Sequence, residues 1–301
     1  MDKLAAMRVL RKVAELGSFS AAADGLDLSK SAVSKIVRGL EDELGARLLN
    51  RTTRRTSLTE AGTRYVERVG ELLAALEEIE AEAADGRATP RGRLRVNAPM
   101  SFGLLHVAPL LPALLEAHRD LEIDLVLNDR VVDLVDEGFD VAIRIGHLAD
   151  SSLIARRLGE TRLVLVSSAR YLAGAPPLAA AADLAGHACL LYAYGRWREE
   201  WRLVERGEPV AVRIRGPLRA NNGEALLRAA SAGLGIALLP DFIAAAALAR
   251  GDVVHVLPEV SGGVLPIHAL YPPNRHPLAK LRVFVEHLRR ELATNLEVAK
   301  R

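Results

Sequence analysis

The chain has one cysteine and few aromatic residues. Cys189 stands alone among 301 residues, so no intrachain disulfide can form, which is typical of a reducing cytoplasm. Phenylalanine, tyrosine and tryptophan make up 4% of the chain and hydrophobic residues 50%, so an aliphatic core is predicted. Because free cysteine is usually buried, we interpret Cys189, in the apolar run 187–191, as structural rather than as a redox sensor.

A long uninterrupted hydrophobic run is also missing. Lysines and arginines break up the N-terminal segment, so a signal peptide is not expected. The most apolar window, 225–249, contains Arg228, Pro240 and Asp241, and it is typical of two buried helices around a short strand rather than of a membrane span. We therefore expect a cytoplasmic, nucleoid-associated protein without a membrane partner.

Two nearby segments each lack charges of one sign, and the missing sign differs between them. Residues 44–59 contain arginines but no acid, whereas residues 71–85 contain acids but no base. The formal net charge of +2 hides this asymmetry. A basic segment followed by an acidic one predicts that one end of the molecule contacts DNA.

The segment after Gly17 has the order of a winged helix-turn-helix. A first helix with an apolar stripe is predicted to stop at Gly17. Ser18 or Ser20 is suited to cap a second helix, and Ser29 to cap a third that runs to about Leu44. Two short helices joined by a tight polar turn are typical of a protein that places one helix in a DNA groove.

The third helix has an apolar face and a polar face. Val33, Val37 and Leu40 lie on the first and are predicted to pack inward. The polar face carries cationic and hydroxyl side chains, which suit phosphates and base edges. A recognition helix reads bases mainly with its N-terminal part, so we predict four base-reading residues followed by one phosphate contact: Lys30, Ser31, Ser34, Lys35 and Arg38.

An arginine-rich segment after this helix is predicted to form a β-wing on the DNA backbone or minor groove, because the guanidinium fork makes paired hydrogen bonds to phosphate. The complete set of predicted DNA contacts is Ser18, Lys30, Ser31, Ser34, Lys35, Arg38, Arg51, Thr52, Thr53, Arg54 and Arg55. A basic amphipathic helix alone is also typical of a solvated surface. The ordered set of helices, turn and wing favours the DNA reading.

At these residues the chain resembles the LysR-type transcriptional regulators. The matching pattern is Ala22-Ala23, Leu26, Ser29, Ser31-Ala32-Val33-Ser34, Leu40-Glu41, Leu44-Gly45, Leu48-Leu49, Arg51, Arg54, Leu58-Thr59 and Ala61-Gly62. Ile36 departs from the polar residue usual in the family, and it could touch a thymine methyl or be partly buried. Leu49, where phenylalanine is common, affects only packing. The phrases DLVDEGFDVAIRIG, DSSLIARRLG and ANNGEAL match the CrgA-like branch, so the resemblance covers essentially the whole chain.

A heptad seam follows the wing. Thr59 is suited to cap a long helix that ends near Asp85. Apolar residues then alternate by four and three along that helix: Tyr65, Val69, Leu72, Leu76 and Ile79. This spacing predicts a coiled-coil partner, although packing against the chain's own body is an alternative. A two-fold dimer, which the resemblance supports, would match an operator with two half-sites.

Strand and helix patterns alternate after a linker at 86–92, which argues for an α/β domain with mostly parallel strands. Residues 131–137 are read as helical, and residues 278–293 as a closing amphipathic helix. The pattern alone leaves one sheet or two open. The resemblance implies a two-lobed effector domain similar to periplasmic binding proteins.

The predicted fold class is therefore α/β, with a helix-rich winged helix-turn-helix head, a long linker helix and a two-lobed α/β effector domain. The expected extents are 1–59 for the head, 60–88 for the linker helix, and 89–301 for the effector domain, with lobe I at 92–165 and 266–301 and lobe II at 166–265.

A ligand would lie between the lobes, where strand ends and helix N-termini converge. Three loops carry the candidate contacts, which are Ser101, Phe102, Arg144, Gly146, Asn221 and Asn222. Free amides at the helix start near Ser101 favour an anion. As alternatives, Ser101 and Asn222 are ordinary helix caps, and Arg144 is an internal ion-pair partner.

Catalytic and metal-binding motifs are missing. The sequence has no G-x-S-x-G elbow, no H-E-x-x-H and no cysteine–histidine metal spacing, so we expect no enzyme, no cofactor and no metal. No motif supports a hydrolase using Ser167 or Ser168, and the fused head argues against a transport binding protein.

The predicted function is a sequence-specific transcriptional regulator whose DNA binding is modulated by a small molecule, either a small organic acid or an aromatic compound. The expected partners are double-stranded DNA, this effector, a second copy of the chain in a dimer or tetramer, and RNA polymerase.

Overall fold

The computed structural model describes residues 2–51, 56–85, 89–148, 151–194, 199–273 and 278–298. Contacts between residues divide the chain into two compact units, Met1–Thr89 and Pro90–Arg301. Each unit contains its own hydrophobic cluster of buried aliphatic side chains.

The N-terminal unit combines helices with one small hairpin. Its elements are α1 (Lys3–Leu16), α2 (Phe19–Gly25), α3 (Lys30–Leu44), β1 (Leu49–Arg51), β2 (Thr56–Leu58) and α4 (Glu60–Asp85). The predicted caps are confirmed: the Ser18 hydroxyl accepts the amide of Ala21 over 3.3 Å, and the Ser29 hydroxyl accepts the amide of Ala32 over 3.1 Å. Gly45 ends α3 with a φ of 64°, a conformation that suits glycine.

The second unit is built on one mixed sheet, flanked by helices. Its elements are β3 (Gly92–Ala98), α5 (Met100–Phe102), α6 (Leu111–Ala117), β4 (Leu121–Leu127), β5 (Val141–Ile145), β6 (Ile154–Ser167), α7 (Ala169–Ala173), β7 (Cys189–Tyr192), β8 (Glu200–Glu205), β9 (Glu208–Arg213), β10 (Arg219–Ala220), α8 (Gly223–Ser231), β11 (Ile236–Pro240), α9 (Asp241–Arg250), β12 (Val254–His255), β13 (Val260–Ser261), β14 (Val264–Tyr271) and α10 (Ala279–Val298).

The strand order defines two lobes. The sheet runs β10–β7–β11–β6–β14–β5–β3–β4, while β8, β9 and β13 form a separate small sheet. We call the side with β3, β4, β5 and β14 lobe I, and the side with β7, β10 and β11 lobe II. The long strand β6 belongs to both lobes, because it pairs with β14 as far as Arg162 and with β11 from Leu163 onward.

The expectation of mostly parallel strands holds inside the lobes and is wrong at the crossing. β3 pairs in parallel with β4 and β5, and β7 pairs in parallel with β10 and β11. The crossing strands β6 and β14 instead run antiparallel to each other and to their outer neighbours. The carboxyl ends of the parallel strands nevertheless meet at one edge in each lobe, where a ligand cleft is expected.

The helix predicted at 131–137 is not formed. The Asp133 carboxylate accepts the amides of Val135 and Asp136 over 2.9 and 3.0 Å, which closes a turn instead of extending a helix. Leu134 and Phe139 are buried and hold this turn against the face of lobe I. The apolar spacing at 131–137 predicted a helix wrongly, because its buried residues anchor a loop to lobe I.

The segment Met100–Ala117 is 18 residues long and apolar enough to cross a membrane by length and composition alone. It consists of α5, a π-helical turn (Gly103–Val107), a 3-10 turn (Ala108–Leu110) and α6. Pro109 and Pro112 interrupt its hydrogen bonding. Phe102, Val107 and Leu114 are buried, whereas Leu104 and Leu105 are exposed.

Candidate DNA interface and effector cleft

The polar face of α3 is exposed. Lys30, Ser31, Lys35 and Arg38 are exposed and Ser34 is half-buried. On the opposite face Val33, Val37 and Leu40 are fully buried in the core of the head. The helix therefore keeps its cations and hydroxyls available while its apolar stripe fixes its orientation.

Two residues of α3 refine the sequence reading. The Ser31 hydroxyl lies 2.9 Å from that of Ser29, so the cap and a predicted base-reading group share a hydrogen bond. Ile36 is half-buried and packs against the core of the head. Of the two alternatives for this departure from the family pattern, partial burial is therefore the one observed.

The end of α3 holds the wing in place. The Glu41 carboxylate accepts the amides of Leu48 and Leu49 over 2.8 and 3.1 Å, where the first wing strand begins. β1 and β2 then pair antiparallel, from Leu49 opposite Leu58 to Arg51 opposite Thr56. These bonds to a carboxylate tie the wing to the recognition helix.

The far side of the wing is tied to α4. The Thr59 hydroxyl donates to the carbonyl of Arg47 over 2.8 Å and accepts the amide of Gly62 over 2.9 Å, so it caps α4 as predicted. Gly62 lies so close to Leu48 that an added Cβ would be 2.0 Å from its carbonyl oxygen. Several predicted wing contacts lie outside the described residues, namely Thr52, Thr53, Arg54, Arg55 and the side chain of Arg51.

The predicted dimer seam divides into two parts. Tyr65 packs against the core of the head, and Val69 is 4% exposed within the single chain. Leu72 is 49% exposed and Leu76 half-buried, whereas the side chain of Ile79 lies outside the described residues. The first turns of α4 thus pack against the head of the same chain rather than against the effector domain, and exposed apolar surface among the described residues lies farther along, at Leu72.

Asn222 connects the two lobes. Its side-chain oxygen accepts the amide of Ala225 over 3.2 Å, so it caps α8. Its side-chain nitrogen donates to the Ser101 hydroxyl over 3.4 Å and lies 3.5 Å from the Asp129 carboxylate. Asn222 is therefore a helix cap and a cleft residue at the same time.

Asp129 is a cleft residue that sequence reasoning missed. Its carboxylate accepts the amide of Met100 over 2.8 Å. We expected the free amides at this helix start to bind an anionic ligand. The Asp129 carboxylate of the chain itself already accepts the hydrogen bond of this amide. Ser101 lies inside the helix rather than at its cap, and it is 6% exposed. Asp129 follows β4 by two residues. Its position just after a predicted strand could have indicated a cleft residue from the sequence.

Arg144 is half-buried at the end of β5. Its Nη1 donates to the Asn97 side-chain oxygen over 2.7 Å and to the carbonyl of Ile143 over 3.0 Å. Its Nη2 is buried and has no hydrogen-bond partner within the described chain. Burial lowers the pKa of the guanidinium, and no described carboxylate lies within ion-pair distance of it. Glu137 and Asp129 act on the guanidinium from beyond that distance, so Arg144 is a half-buried cation without a direct ion pair in the described structure.

Of the three other predicted contacts, two have partners within the chain and one is exposed. Phe102 is fully buried, with its ring 5.1 Å from His106 and 5.4 Å from Phe242, so it belongs to the core. The amide of Gly146 donates to the carbonyl of Pro266 over 2.9 Å and is not available to a ligand. Asn221 is exposed, and its side-chain nitrogen lies 3.5 Å from the Tyr194 hydroxyl.

Two tyrosines on the lobe II side were also missed. Tyr192 ends β7, and its ring lies 6.3 Å from that of Tyr194 in an edge-to-face arrangement. Burial and the nearby Asp129 carboxylate raise the pKa of Tyr192. Tyr194 is 41% exposed. The run LLYAYG at a strand end could have indicated them, because cleft residues collect at carboxyl ends of strands.

Cys189 is buried, as expected. Its thiol lies 3.5 Å from the carbonyl of Leu184. Burial raises the pKa of the thiol to about 12, so very little thiolate forms at neutral pH. A structural role follows from this environment.

A winged helix-turn-helix head joined to a two-lobed α/β domain with a polar cleft defines an effector-responsive, DNA-binding transcriptional regulator. Residues 4–63 match the helix-turn-helix domain of the LysR family of bacterial regulatory proteins, and residues 87–293 match the LysR substrate-binding domain. The chain belongs to the LysR family of transcriptional regulators. This confirms the family, the fold class and the regulatory function predicted from the sequence.

Relatives support the CrgA-like branch. The chain is 36% identical over 292 residues to the transcriptional regulator CrgA of Neisseria meningitidis serogroup C, which covers 96% of this chain and 97% of the relative. It is 38% identical over 288 residues to the regulator PtxR of Pseudomonas aeruginosa, covering 93% and 90%. The solved structure of CrgA from Neisseria meningitidis matches with a TM-score of 0.61 and 35% identity, covering 96% of this chain and 98% of that one.

Proposed function

We propose that the exposed face of α3 reads an operator and that the wing grips the adjacent backbone. The observation that supports this most directly is the separation of faces on α3, with cations and hydroxyls outward and a fully buried aliphatic stripe inward. Lys30, Ser31, Ser34 and Lys35 contact bases, while Arg38 contacts phosphate. Ser18 and the wing residues 51–55 complete the interface.

The test compares two double variants with equal loss of charge. Genome-wide footprinting, with the protein's own upstream region included, provides the operator fragments. Lys30→Ala with Lys35→Ala should weaken operator binding at least tenfold at moderate salt, because both cations face the DNA. Lys3→Ala with Lys12→Ala, on α1, is the control and should change affinity little. Unchanged operator binding by the first pair would contradict the assignment.

We infer that the chain acts as a dimer through the exposed part of α4, with tetramers formed from dimers. The head spans residues 1–59, the linker helix 60–88 and the effector domain 89–301. Leu72, Leu76 and Ile79 supply the apolar seam, since Tyr65 and Val69 pack within their own chain. Replacing Leu72 and Leu76 by glutamate should shift the sedimentation coefficient toward the monomer, and an unshifted dimer would exclude this seam.

We propose that the effector is a small organic acid that binds beside Arg144. A half-buried cation that has no direct ion pair among the described residues stabilises an incoming carboxylate and is stabilised by it. Ser101 and Asn222 line the same region of the cleft and already connect the lobes, so a ligand there changes how the lobes contact each other. Arg144→Gln should abolish the thermal stabilisation given by carboxylates in a panel of organic acids. If carboxylates stabilise Arg144→Gln as much as wild type, Arg144 does not bind the effector.

We propose further that the chain is not an enzyme and that it works on nucleoid DNA in the cytoplasm. The serines considered as nucleophiles both have structural partners. The Ser167 hydroxyl is buried and donates to the carbonyl of Gly235 over 2.9 Å, and the Ser168 hydroxyl caps α7 by accepting the amide of Tyr171 over 3.3 Å. Turnover of an ester panel that Ser167→Ala or Ser168→Ala abolishes would overturn this proposal.

A further inference from the structure

His268 is the residue directly opposite Arg144 in the sheet of lobe I. β14 and β5 pair antiparallel, and the register makes these two residues cross-strand partners. Partners of this kind lie on the same face of a sheet, with Cβ atoms about 4.5–5.5 Å apart. The two residues therefore lie on one face of lobe I near the carboxyl end of β5, and Nη1 of Arg144 reaches toward Asn97 on the neighbouring strand β3.

Both side chains carry a buried nitrogen without a partner. Nη2 of Arg144 and Nδ1 of His268 are inaccessible to solvent and make no hydrogen bond within the described chain. A buried polar group loses its bonds to water when the chain folds, so in folded proteins such groups almost always have hydrogen-bond partners. Two nitrogens without partners on neighbouring strands, both on basic groups, indicate a place where a ligand supplies the acceptors.

The charged groups that act on His268 are positive. Arg157 is its partner on β6, where the strand register shifts between Ile267 and His268, and His147 also acts on it. Arg157 is already paired with Glu160 over 2.7 Å, unlike Arg144. Burial first, and then Arg157 and His147, lower the pKa of His268, so its ring is neutral at pH 7 when no anion is present.

We propose that Arg144 and His268 together bind the carboxylate of the effector, and that binding adds a proton to His268. Arg144 donates from Nη2 to one carboxylate oxygen, and protonated His268 donates from Nδ1 to the other. The ligand's negative charge favours the imidazolium, so carboxylates bind more tightly as the pH falls. This inference rests on the proposed effector site at Arg144 and extends it to a second, protonation-dependent residue.

Acetate is the probe, because it is little more than the carboxylate itself. Calorimetric titrations of the full chain at pH 6 and pH 8, with chloride balancing the ionic strength, measure affinity. Repeating them in buffers of different ionisation enthalpy measures proton uptake. Wild-type protein should bind acetate about tenfold more tightly at the lower pH, as expected when binding raises the pKa of His268 by about one unit, and should take up protons on binding.

The variants separate the two residues. His268→Gln should still bind acetate through Arg144, with no proton uptake and little dependence on pH. Arg144→Gln should lose binding at both pH values. His255→Gln, which removes an exposed histidine on β12, is the control and should behave as wild type. His268→Asn serves as a second variant if the glutamine does not fold.

The outcomes distinguish the inference from the function on which it rests. If the His268 variants keep the wild-type pH dependence and proton uptake, the inference is wrong and the effector site at Arg144 stands. If wild type does not bind acetate, or if Arg144→Gln binds it equally well, both are wrong. Operator binding by the head is measured separately and is unaffected by either result.

Discussion

Asn222 of lobe II donates a hydrogen bond to Ser101 of lobe I, with 3.4 Å between its Nδ2 and the serine hydroxyl. The same amide nitrogen lies 3.5 Å from Asp129. One side chain at the N-cap of α8 therefore contacts both Ser101 and Asp129 across the cleft. A ligand that replaces either contact changes the equilibrium between closed and open lobes, which is how a small molecule alters a distant function.

The variant Asn222→Asp should open the cleft without removing the helix cap. Aspartate caps as well as asparagine, but it lacks the donor and places a carboxylate opposite Asp129. We expect faster amide hydrogen exchange in residues 98–103 and an unchanged rate within α8. Ser101→Ala, which removes one hydrogen bond and adds no charge, is the milder control. Wild-type exchange in Asn222→Asp would show that this contact does not hold the lobes together.

Two glycines on α4 should respond in opposite directions to alanine. At Gly62 an added Cβ would lie 2.0 Å from the carbonyl oxygen of Leu48, so Gly62→Ala should destabilise the head by about 2 kcal/mol or more. Outside its own helix backbone, no described atom lies within 4 Å of such a Cβ at Gly70, and Gly70→Ala should stabilise the helix by roughly 0.5–1 kcal/mol. Denaturant titration monitored by circular dichroism measures both. Equal effects would mean that the wing does not pack against α4 as described.

Acid should destabilise the effector domain through His106. Burial lowers the pKa of this ring, and the Asp241 carboxylate opposes that shift only partly. The unfolded chain therefore binds a proton more readily, so stability is complete above about pH 6.5 and is lost as the pH falls toward the folded pKa. Unfolding free energies at pH 7.5 and 5.5 should differ less in His106→Gln than in wild type. Burial also lowers the pKa of His268, so His106→Gln should retain part of the pH dependence of stability. A wild-type difference in the variant would exclude His106 as the cause.

Cys189 should be inert to thiol reagents in the native state. Its buried thiol, with a pKa of about 12, offers almost no thiolate. We expect slow labelling by a disulfide reagent that becomes fast only on unfolding, and operator binding that peroxide does not change. Cys189→Ser should bind the operator with wild-type affinity. Rapid labelling of the folded protein would contradict the structural role and would support a redox role for Cys189.

The head was predictable because its signals are local. Caps such as Ser29 and stops such as Gly45 act on neighbouring residues, so their positions follow from the sequence alone. The cleft was predictable only in part, because its contacts join distant segments. Ser101 and Asn222 were chosen for their loops, whereas Asp129 required knowledge of which strand ends meet. Phe102 was predicted as an effector contact for the same reason, but its ring is fully buried in the core.

The most direct test of the account measures sequence discrimination by α3. Fluorescence anisotropy gives the affinity of the full chain for a footprinted operator and for a scrambled duplex at the same salt concentration. Lys30→Ala with Lys35→Ala should reduce the difference in binding free energy between the two duplexes by about 1–3 kcal/mol for each lost base contact. Arg38→Ala, as a phosphate contact, should weaken binding to both duplexes by the same factor. An unchanged difference in the lysine variant would show that this face of α3 does not read the operator.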